Sequence, residues 1–424
     1  MALASLRSLR SRNFALIWSA ALVSNVGTWM QAVALGVLVY QRTGQAGWTG
    51  LVAAAAFVPI GLFAPVGGAL ADRLDRRRWL ILTTLAETAF AAALAVLAAA
   101  HDDPPIALVL LAFGGGAAGS IGFPAYQAMV PDLVPEEDLL AAVAMSSAQF
   151  NLGRVIGPAL AGLVLLTHDY SIVFGVNVAS FGAVVVALLL VRLPPRPPVA
   201  NDSSIVTRIV LGARIALTEP GCRAAIFLIA LVALLASPFI ALVPAMAGVI
   251  RHHGVSNATA TSILITAQGV GAVAGAVLLP SVALRLGRGR LLTGALVVLP
   301  LLLVAYAVAP ELWLATLALF AVGAGYITVL SGLNTVVQLR SPAFARGRVL
   351  SIYMMGLGLV YPLGAVLQGN IADATGLRAV TAVGALALLA AVVVLTLARP
   401  SVFRALGDPK PATFEPLVPA EEFL

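Results

Sequence analysis

The sequence contains few charged residues and only one cysteine. Charged residues make up 10% of its 424 residues, whereas hydrophobic residues make up 61%. A soluble domain is typically about a quarter charged and about half apolar. This balance excludes an intrinsically disordered chain and an ordinary soluble enzyme. The single cysteine, Cys222, excludes an internal disulfide and a cysteine-rich metal site.

Most of the sequence consists of long apolar runs. One transmembrane helix needs roughly 20 apolar residues, and the runs are continuous rather than alternating, which favours helices over barrel strands. Twelve runs are separated by short polar breaks, at 14–40, 46–71, 79–100, 106–130, 140–166, 171–193, 223–248, 258–283, 290–309, 312–337, 349–371 and 378–398. The sequence therefore predicts an all-α membrane protein with twelve transmembrane helices.

The basic residues are distributed unevenly over the loops. The net charge is +7, which in a soluble protein would suggest nucleic acid as a partner. If the N-terminus lies inside, 21 Lys and Arg residues fall on the cytoplasmic side and three on the outer side. This asymmetry predicts an even number of spans with both termini in the cytoplasm. We therefore attribute the positive net charge to the topology of a membrane protein and not to binding of nucleic acid.

The longest polar break divides the chain into two halves of six spans. It contains four prolines and a short amphipathic segment over 205–217, which predicts a helix on the cytoplasmic face. The predicted divisions are an N-terminal bundle at 1–193, a linker at 194–222, a C-terminal bundle at 223–400 and a disordered cytoplasmic tail at 401–424.

The two halves repeat each other. The break Arg73-Leu-Asp-Arg-Arg-Arg78 matches Arg285-Leu-Gly-Arg-Gly-Arg290, and both join the second and third spans of a half. Gly157-Pro158 in span 5 matches Tyr361-Pro362 in span 11. Parallel six-helix repeats of this kind are a transporter architecture, with two pseudo-symmetric bundles.

Two motifs carry a family resemblance. The stretch Gly68-Ala-Leu-Ala-Asp72-Arg73-Leu-Asp75-Arg76-Arg77 resembles the cytoplasmic signature of the major facilitator superfamily, although Asp75 replaces a glycine. The stretch from Asn151 to Gly162 is similar to that superfamily's antiporter signature, with Ala161 replacing a glycine. The resemblance extends over residues 1 to about 400. It points to the bacterial exporter branch that includes the enterobactin exporter and macrolide-efflux proteins.

The resemblance implies a set of gating residues. Asp72 is expected to bind the start of span 11 across the two halves, and Asp132 is a possible partner for Arg73 or Arg76. Small residues in span 5 are expected to seal the contact between the halves. The alternatives are that the charges only set topology and that the small residues only pack helices. The full gating set is Gly68, Asp72, Arg73, Arg76, Asp132, Gly153, Gly157 and Pro158.

Two charged residues fall well inside predicted spans, Glu87 and Arg154. A charge at bilayer depth costs several kcal/mol and points to a functional role. Arg154 is a candidate for attracting an anionic substrate group and for proton coupling, or else a structural arginine bonded to neighbouring carbonyls. Glu87 is a candidate for carrying a coupling proton, or else a carboxyl bonded within the N-terminal half.

By the resemblance, spans 1, 4, 7 and 10 line a central path, with contributions from spans 5 and 11. Their polar and aromatic residues would form an apolar cavity with few charges, which suits bulky amphipathic molecules. For each aromatic the alternative is ordinary helix packing. The predicted substrate-binding residues are Asn25, Trp29, Tyr126, Gln149, Asn151, Arg154, Tyr326, Asn334, Tyr353 and Tyr361.

The sequence and the resemblance together predict a secondary active transporter. It is expected to export bulky amphipathic small molecules (a drug, siderophore or secondary metabolite) by proton antiport and alternating access. We expect a monomer in the inner (plasma) membrane that needs no cofactor, and not an enzyme, because no catalytic constellation occurs in a soluble segment. Two alternatives remain: an importer or lysophospholipid flippase of the same fold, and a membrane receptor or assembly factor that transports nothing.

Overall fold

The computed structural model describes residues 6–167, 169–191, 205–342 and 346–407. It contains 12 helical spans long and apolar enough to cross a membrane, which confirms the predicted fold class. The helices are α1 Arg12–Thr43, α2 Ala46–Arg73, α3 Arg76–Ala100, α4 Pro105–Met129, α5 Leu139–Val164, α6 Tyr170–Leu190, α7 Ile205–Thr218, α8 Pro220–Leu235, α9 Phe239–Val249, α10 Asn257–Leu286, α11 Arg288–Val308, α12 Leu312–Arg340, α13 Arg346–Thr375, α14 Leu377–Ala398 and α15 Pro400–Arg404. Short 3-10 turns occupy Leu6–Arg10, Val130–Leu133, Glu136–Asp138 and Leu165–Thr167.

Polar side chains at the helix starts satisfy backbone groups that have no partner inside the helix. The Asp75 carboxylate accepts a hydrogen bond from the Arg78 amide at 2.7 Å, at the start of α3. Asp169, Glu219 and Ser256 serve α6, α8 and α10 in the same way. The short connection between α1 and α2 depends on Gly44, whose φ of 64° lies in the left-handed region.

The seventh span differs from the predicted continuous helix over 223–248. It consists of α8 and α9, which are separated by Ala236, Ser237 and Pro238. Proline has no amide hydrogen, so the α-helical hydrogen-bond ladder is interrupted at this point. The Ser237 amide bonds the Val232 carbonyl at 2.8 Å instead. The break places a serine hydroxyl at mid-span, where a regular helix would present only apolar side chains.

The apolar cores of the two halves are largely separate. Most buried residues of α1 to α6 form two clusters and most of those of α8 to α14 form one larger cluster, although Ala46 of α2 joins the larger cluster and Ala258 of α10 joins one of the smaller clusters. The linker helix α7 packs on the second half, where a methyl group at Gly212 would lie 2.9 Å from the Arg348 carbonyl oxygen. The predicted linker helix is therefore present, and it lies against the start of α13.

The predicted tail begins with ordered residues. The short helix α15 is followed by Leu406, which is 1% exposed, and the Gly407 carbonyl accepts a hydrogen bond from Arg340 at 2.9 Å. The prediction of disorder from residue 401 onward therefore does not hold for residues 401–407. Residues 408–424, and the proline-rich part of the linker at 192–204, lie outside the described residues.

We predict that the α1–α5 contact tolerates no large side chain at Gly157. A Cβ there would lie 2.6 Å from the Trp29 Cβ and 2.8 Å from the Val26 carbonyl oxygen. Overpacking of this kind costs about 1–3 kcal/mol. Gly157→Leu should therefore lower the unfolding temperature in detergent by about 2–3 °C, from the upper part of that range.

Gly175 in α6 provides the matched control, because no heavy atom lies within 4 Å of its Cβ position. Gly175→Leu should leave the unfolding temperature within about 1 °C of the unsubstituted protein. Equal shifts for both variants would contradict the packing described for α1 and α5.

Candidate functional site

The two halves touch closely at one end of the bundle. We call the end that carries Arg12 and Ala398 the termini end, and the opposite end the far end. Near the far end, a Cβ on Gly47 would lie 2.9 Å from the Asp373 carboxylate, and a Cβ on Gly369 would lie 2.8 Å from the Ala46 carbonyl oxygen. These contacts join α2 to α13.

Two further helix pairs close the far end. Between α1 and α9, a Cβ on Gly36 would lie 3.0 Å from the Pro244 ring, and one on Gly248 would lie 3.1 Å from the Tyr40 ring. Between α5 and α10, a Cβ on Gly162 would lie 2.7 Å from the Ser262 Cβ. Glycine allows these backbones to approach each other, as is typical of membrane helix interfaces.

Toward the termini end the same helices separate. No heavy atom lies within 4 Å of the Cβ positions of Gly68 in α2 or of Gly347 and Gly356 in α13. Leu140 in α5 is 84% exposed and Leu284 in α10 is 88% exposed. The halves therefore enclose a wedge-shaped space that is open at the termini end and closed at the far end.

Arg154 lies where the wedge closes. Its Nη2 donates a hydrogen bond to Gln268 Oε1 at 3.0 Å, which links α5 to α10 across the halves. Its guanidinium carbon lies 5.8 Å from the centre of the Trp29 ring, a cation–π distance. Within the described part of the chain it has no carboxylate partner. A buried cation held by an amide and an aromatic ring retains the capacity to bind an anion.

A cluster of buried aromatic and hydroxyl side chains lies behind the wall of the second half. The Tyr326 and Ser237 hydroxyls share a hydrogen bond at 2.8 Å, and the Phe239 ring meets Tyr326 edge to face at 5.8 Å. The Tyr353 hydroxyl donates to the Leu330 carbonyl at 3.0 Å. Most of these polar groups therefore already have partners.

A cavity of about 270 Å³ lies between α12 and α13 in this wall. Among the described residues its lining consists of Leu330, Ser331, Asn334, Thr335, Tyr353, Met354 and Leu357. It combines one amide and three hydroxyls with apolar side chains. This composition is typical of a site for an amphipathic small molecule.

The predicted substrate-binding residues fall into separate groups. Trp29 and Arg154 come together at the closed end of the wedge, and Asn334 and Tyr353 line the cavity. Tyr361 instead packs against the Phe57 ring at 5.2 Å, in the contact between α13 and α2.

The remaining predicted residues have local contacts. The Asn25 and Asn151 amides donate to carbonyls one turn earlier in their own helices, at 3.1 Å and 2.8 Å. Tyr126 stacks on Phe123 at 6.5 Å, and Gln149 is buried with no hydrogen-bond partner for its Nε2.

Glu87 lies away from the wedge. It is in α3, and a Cβ on Gly119 of α4 would lie 2.7 Å from its Oε1. Both helices belong to the first half. The two mid-span charges thus occupy different environments, Arg154 between the halves and Glu87 within one of them.

The predicted gating residues lie in two places. Asp72 and Arg73 are the last residues of α2, and their side chains lie outside the described part of the structure. Arg76 Nη1 contacts Asp132 Oδ2 at 3.1 Å and donates to the Ala128 carbonyl at 2.8 Å, which ties α3 to the end of α4.

The small residues of α5 divide between two neighbours. Gly153 and Gly157 approach Asn25 and Trp29 of α1, in the same half, and Pro158 is buried nearby. Of this helix's glycines, Gly162 is the one that approaches the other half. The expected seal between the halves therefore involves the end of the motif, whereas its start packs α5 against α1.

Two residues at the contact between the halves were not predicted from the sequence, Gln268 and Asp373. Gln268 is a single amide in an apolar span. Because such a group needs a hydrogen-bond partner, the sequence alone could have identified it as a candidate for a contact between helices. Asp373 follows an apolar run near a predicted loop, and nothing in the sequence distinguishes it from a solvated carboxylate.

Comparisons with known proteins agree with the observed fold. A family model described as "Transmembrane secretion effector" matches residues 3–421. The chain is 28% identical over 377 residues to the multidrug efflux pump Tap of Mycolicibacterium fortuitum, which covers 86% of this chain and 90% of that protein. It is 24% identical over 181 residues to macrolide efflux protein A of Streptococcus pyogenes, covering 43% and 45%.

A solved structure has the same fold. It is that of a bacterial homolog of the human lysosomal transporter Spinster in an inward-facing, occupied conformation. The TM-score is 0.73 at 16% identity, over 96% of this chain and all of the other. At that identity the likeness shows the fold alone.

We predict that the two ends of the wedge differ in accessibility. With Cys222→Ala as the background, Met354→Cys should react with a polar maleimide at least about tenfold faster than Ser262→Cys, because the alternative conformer of such a protein is typically populated at about 0.1–10%. Met354 lines the cavity and is 49% exposed, whereas Ser262 is 3% exposed and lies against Gly162 of the other half near the far end. Labelling of purified protein in nanodiscs, followed by mass spectrometry, measures both rates. Equal rates would contradict the one-sided opening.

Proposed function

The chain belongs to the transmembrane secretion effector family of the major facilitator superfamily, and from this premise we propose that it exports bulky amphipathic small molecules that carry a negative charge. The motif resemblance is confirmed, and the chain is a multi-pass membrane transporter of small molecules, not an enzyme. Efflux is named for its relatives. Its direction of transport and its substrate class belong to the proposal.

The observation that carries the proposal is the unpaired cation at the closed end of a one-sided wedge. A substrate that enters from the termini end would meet aromatic and aliphatic walls first and the Arg154 guanidinium last. Trp29 stacks beside that guanidinium, so that an aromatic substrate with an anionic group could contact both. A charge-assisted hydrogen bond in this desolvated place contributes about 1.5–3 kcal/mol.

Transport follows from exchange of the open and closed ends. We place both termini in the cytoplasm of the inner (plasma) membrane, so that the wedge faces the cytoplasm and loads from there. The halves would then rock about the Arg154–Gln268 contact and open the far end to the outside. In that state the termini end must close, and Asp72 at the end of α2 would meet the start of α13. Gly68, Arg73, Arg76 and Asp132 support this gate, and the monomer suffices for the cycle.

We place the coupling proton on Glu87. A carboxyl at bilayer depth is a candidate proton carrier, and it lies in the first half, away from the substrate wedge. Movement of the first half would carry Glu87 with it, and Arg154 would link substrate binding to that movement through its contact with α10. Export would thereby use the proton gradient and the membrane potential, worth about 2.3 kcal/mol per charge per 100 mV.

The substrate proposal predicts a charge-selective defect. In inverted membrane vesicles, uptake of a carboxylate-bearing xanthene dye should require Arg154. Arg154→Gln should raise the KM for this dye about tenfold or more, since it removes one charge-assisted hydrogen bond. Arg154→Lys should retain part of the affinity, because the charge remains.

The ethyl ester of the same dye is the control substrate, since it lacks the negative charge. Its transport should change less than about threefold in Arg154→Gln, because the ester has no negative charge that could bind the Arg154 guanidinium. Equal loss for the dye and its ester would contradict the anion-binding role. Transport of lysophospholipid in place of either dye would favour a flippase of the same fold.

The coupling proposal predicts separation of two transport modes. Glu87→Gln should abolish uptake driven by a pH gradient while exchange of substrate across the membrane continues, because exchange needs no proton release. Glu136→Gln, in an exposed turn of the same half, should retain both modes. Nigericin and valinomycin together, in K⁺ buffer, collapse the pH gradient and the membrane potential and should stop transport in the unsubstituted protein. Gradient-driven uptake that survives in Glu87→Gln would rule out this carrier.

A further inference from the structure

The far end holds a contact in which one half completes a helix of the other. The Asp373 carboxylate accepts two backbone hydrogen bonds from the start of α2. Oδ1 accepts from the Ala46 amide at 2.6 Å, and Oδ2 accepts from the Gly47 amide at 2.8 Å. Asp373 lies near the end of α13, so this contact joins the two halves.

The start of α2 has no equivalent group of its own. Its N-cap residue, Gln45, forms no side-chain capping bond. The first amides of a helix have no partner within it, and the helix dipole places partial positive charge there. A carboxylate at this position is favourable on both counts. The cap that a local Ser or Asp usually provides comes here from α13.

The surrounding residues fit the carboxylate closely. A Cβ on Gly47 would lie 2.9 Å from Asp373 Oδ2 and 3.0 Å from Asn370 Oδ1. A Cβ on Gly369 would lie 3.0 Å from the Gly47 Cα. The absence of side chains at both glycines therefore lets the end of α13 reach the start of α2.

The directions of α2 and α13 determine at which end of the bundle this contact forms. Because α2 and α13 run antiparallel, the end of α13 meets the start of α2 at the closed far end. At the open termini end, no heavy atom lies within 4 Å of the Cβ positions of Gly68 in α2 or Gly347 in α13. The Asp373 contact can therefore form only while the far end is closed.

We propose that Asp373 is a gating residue that holds the far end shut. It must release the amides of Ala46 and Gly47 before the far end opens. The strength of this capping contact thus sets the ratio of the two access states. This inference rests on the proposed alternating access, but it concerns the state ratio and not the substrate.

Removal of the carboxylate charge tests the gate without any substrate. Asp373→Asn should raise the maleimide reaction rate of Ser262→Cys, in the Cys222→Ala background, by about fivefold, because the amide keeps one acceptor oxygen but loses the second hydrogen bond and the charge at the helix dipole. The reaction of Met354→Cys should slow. Asp373→Glu keeps the charge and should recover most of the original rates, which a purely structural role would not predict.

Gly47→Ala perturbs the same contact from the other helix. A methyl group there would displace Asp373 Oδ2, so the Ser262→Cys rate should rise in the same direction as in Asp373→Asn. This second variant keeps the test decisive if Asp373→Asn proves poorly folded by size-exclusion chromatography.

Asp169 provides the matched control. It also caps a helix at the far end, where its carboxylate accepts from the Ser171 amide at 2.8 Å, but both groups belong to the first half. The Ser171 hydrogen bonds lower the pKa of Asp169, so this carboxyl is charged at neutral pH as well. Asp169→Asn should leave both labelling rates unchanged.

Labelling rates in Asp373→Asn that match those in Asp169→Asn would overturn the gating role of Asp373. Such a result would leave the proposed export intact, because the transport assays do not depend on it. Conversely, a shifted rate together with absent dye transport would retain the gate and contradict the proposed substrate.

Discussion

The structure depends on how closely two pairs of antiparallel helices approach, α2 with α13 and α5 with α10. These pairs provide most of the joint between two bundles whose apolar cores are otherwise largely separate. Water cannot drive helix association within the bilayer, so packing and hydrogen bonds must hold the joint. Glycine at positions such as Gly50, where a Cβ would collide with the Ala365 backbone, allows the necessary approach. Because the close contacts stop near mid-span, the joint has the geometry that the proposed hinge motion requires.

The contact between the halves determines where the polar side chains of the site lie. Arg154 and Gln268 meet where the close contacts end, so the mid-span charge faces the space that opens beyond them. The break between α8 and α9 adds the Ser237 hydroxyl to the opposite wall, next to Tyr326. A charged group that would be costly in lipid thus lies in a partly polar cleft. The same geometry separates it from Glu87, which agrees with the proposal of one charge for the substrate and one for the proton.

The sequence predicts the spans well because the bilayer imposes their length and composition, and the twelve runs match the helices within a few residues. It predicts the partners of those helices less well. Gln31 lies in span 1, one of the helices expected to line the central path, but it accepts a hydrogen bond from Asn177 of α6 at 2.8 Å. Gly153 and Gly157 pack on α1, although the motif suggested the contact between the halves. In each case the local pattern is correct, but the neighbouring helix is decided by tertiary packing. Asp373 shows the limit most clearly, because its partners are backbone amides more than 300 residues away.

The central claim is that the two ends of the wedge open and close reciprocally. Spin labels at Leu140 and Leu284 report the termini end, and labels at Leu166 and Thr375 report the far end across the same halves. Pulsed electron spin resonance in nanodiscs can measure both distance distributions with and without a transported dye. Rigid rocking predicts that a shorter Leu140–Leu284 distance always accompanies a longer Leu166–Thr375 distance. If both distances lengthened together, or if one changed while the other stayed fixed, the hinge at Arg154 and Gln268 would be contradicted.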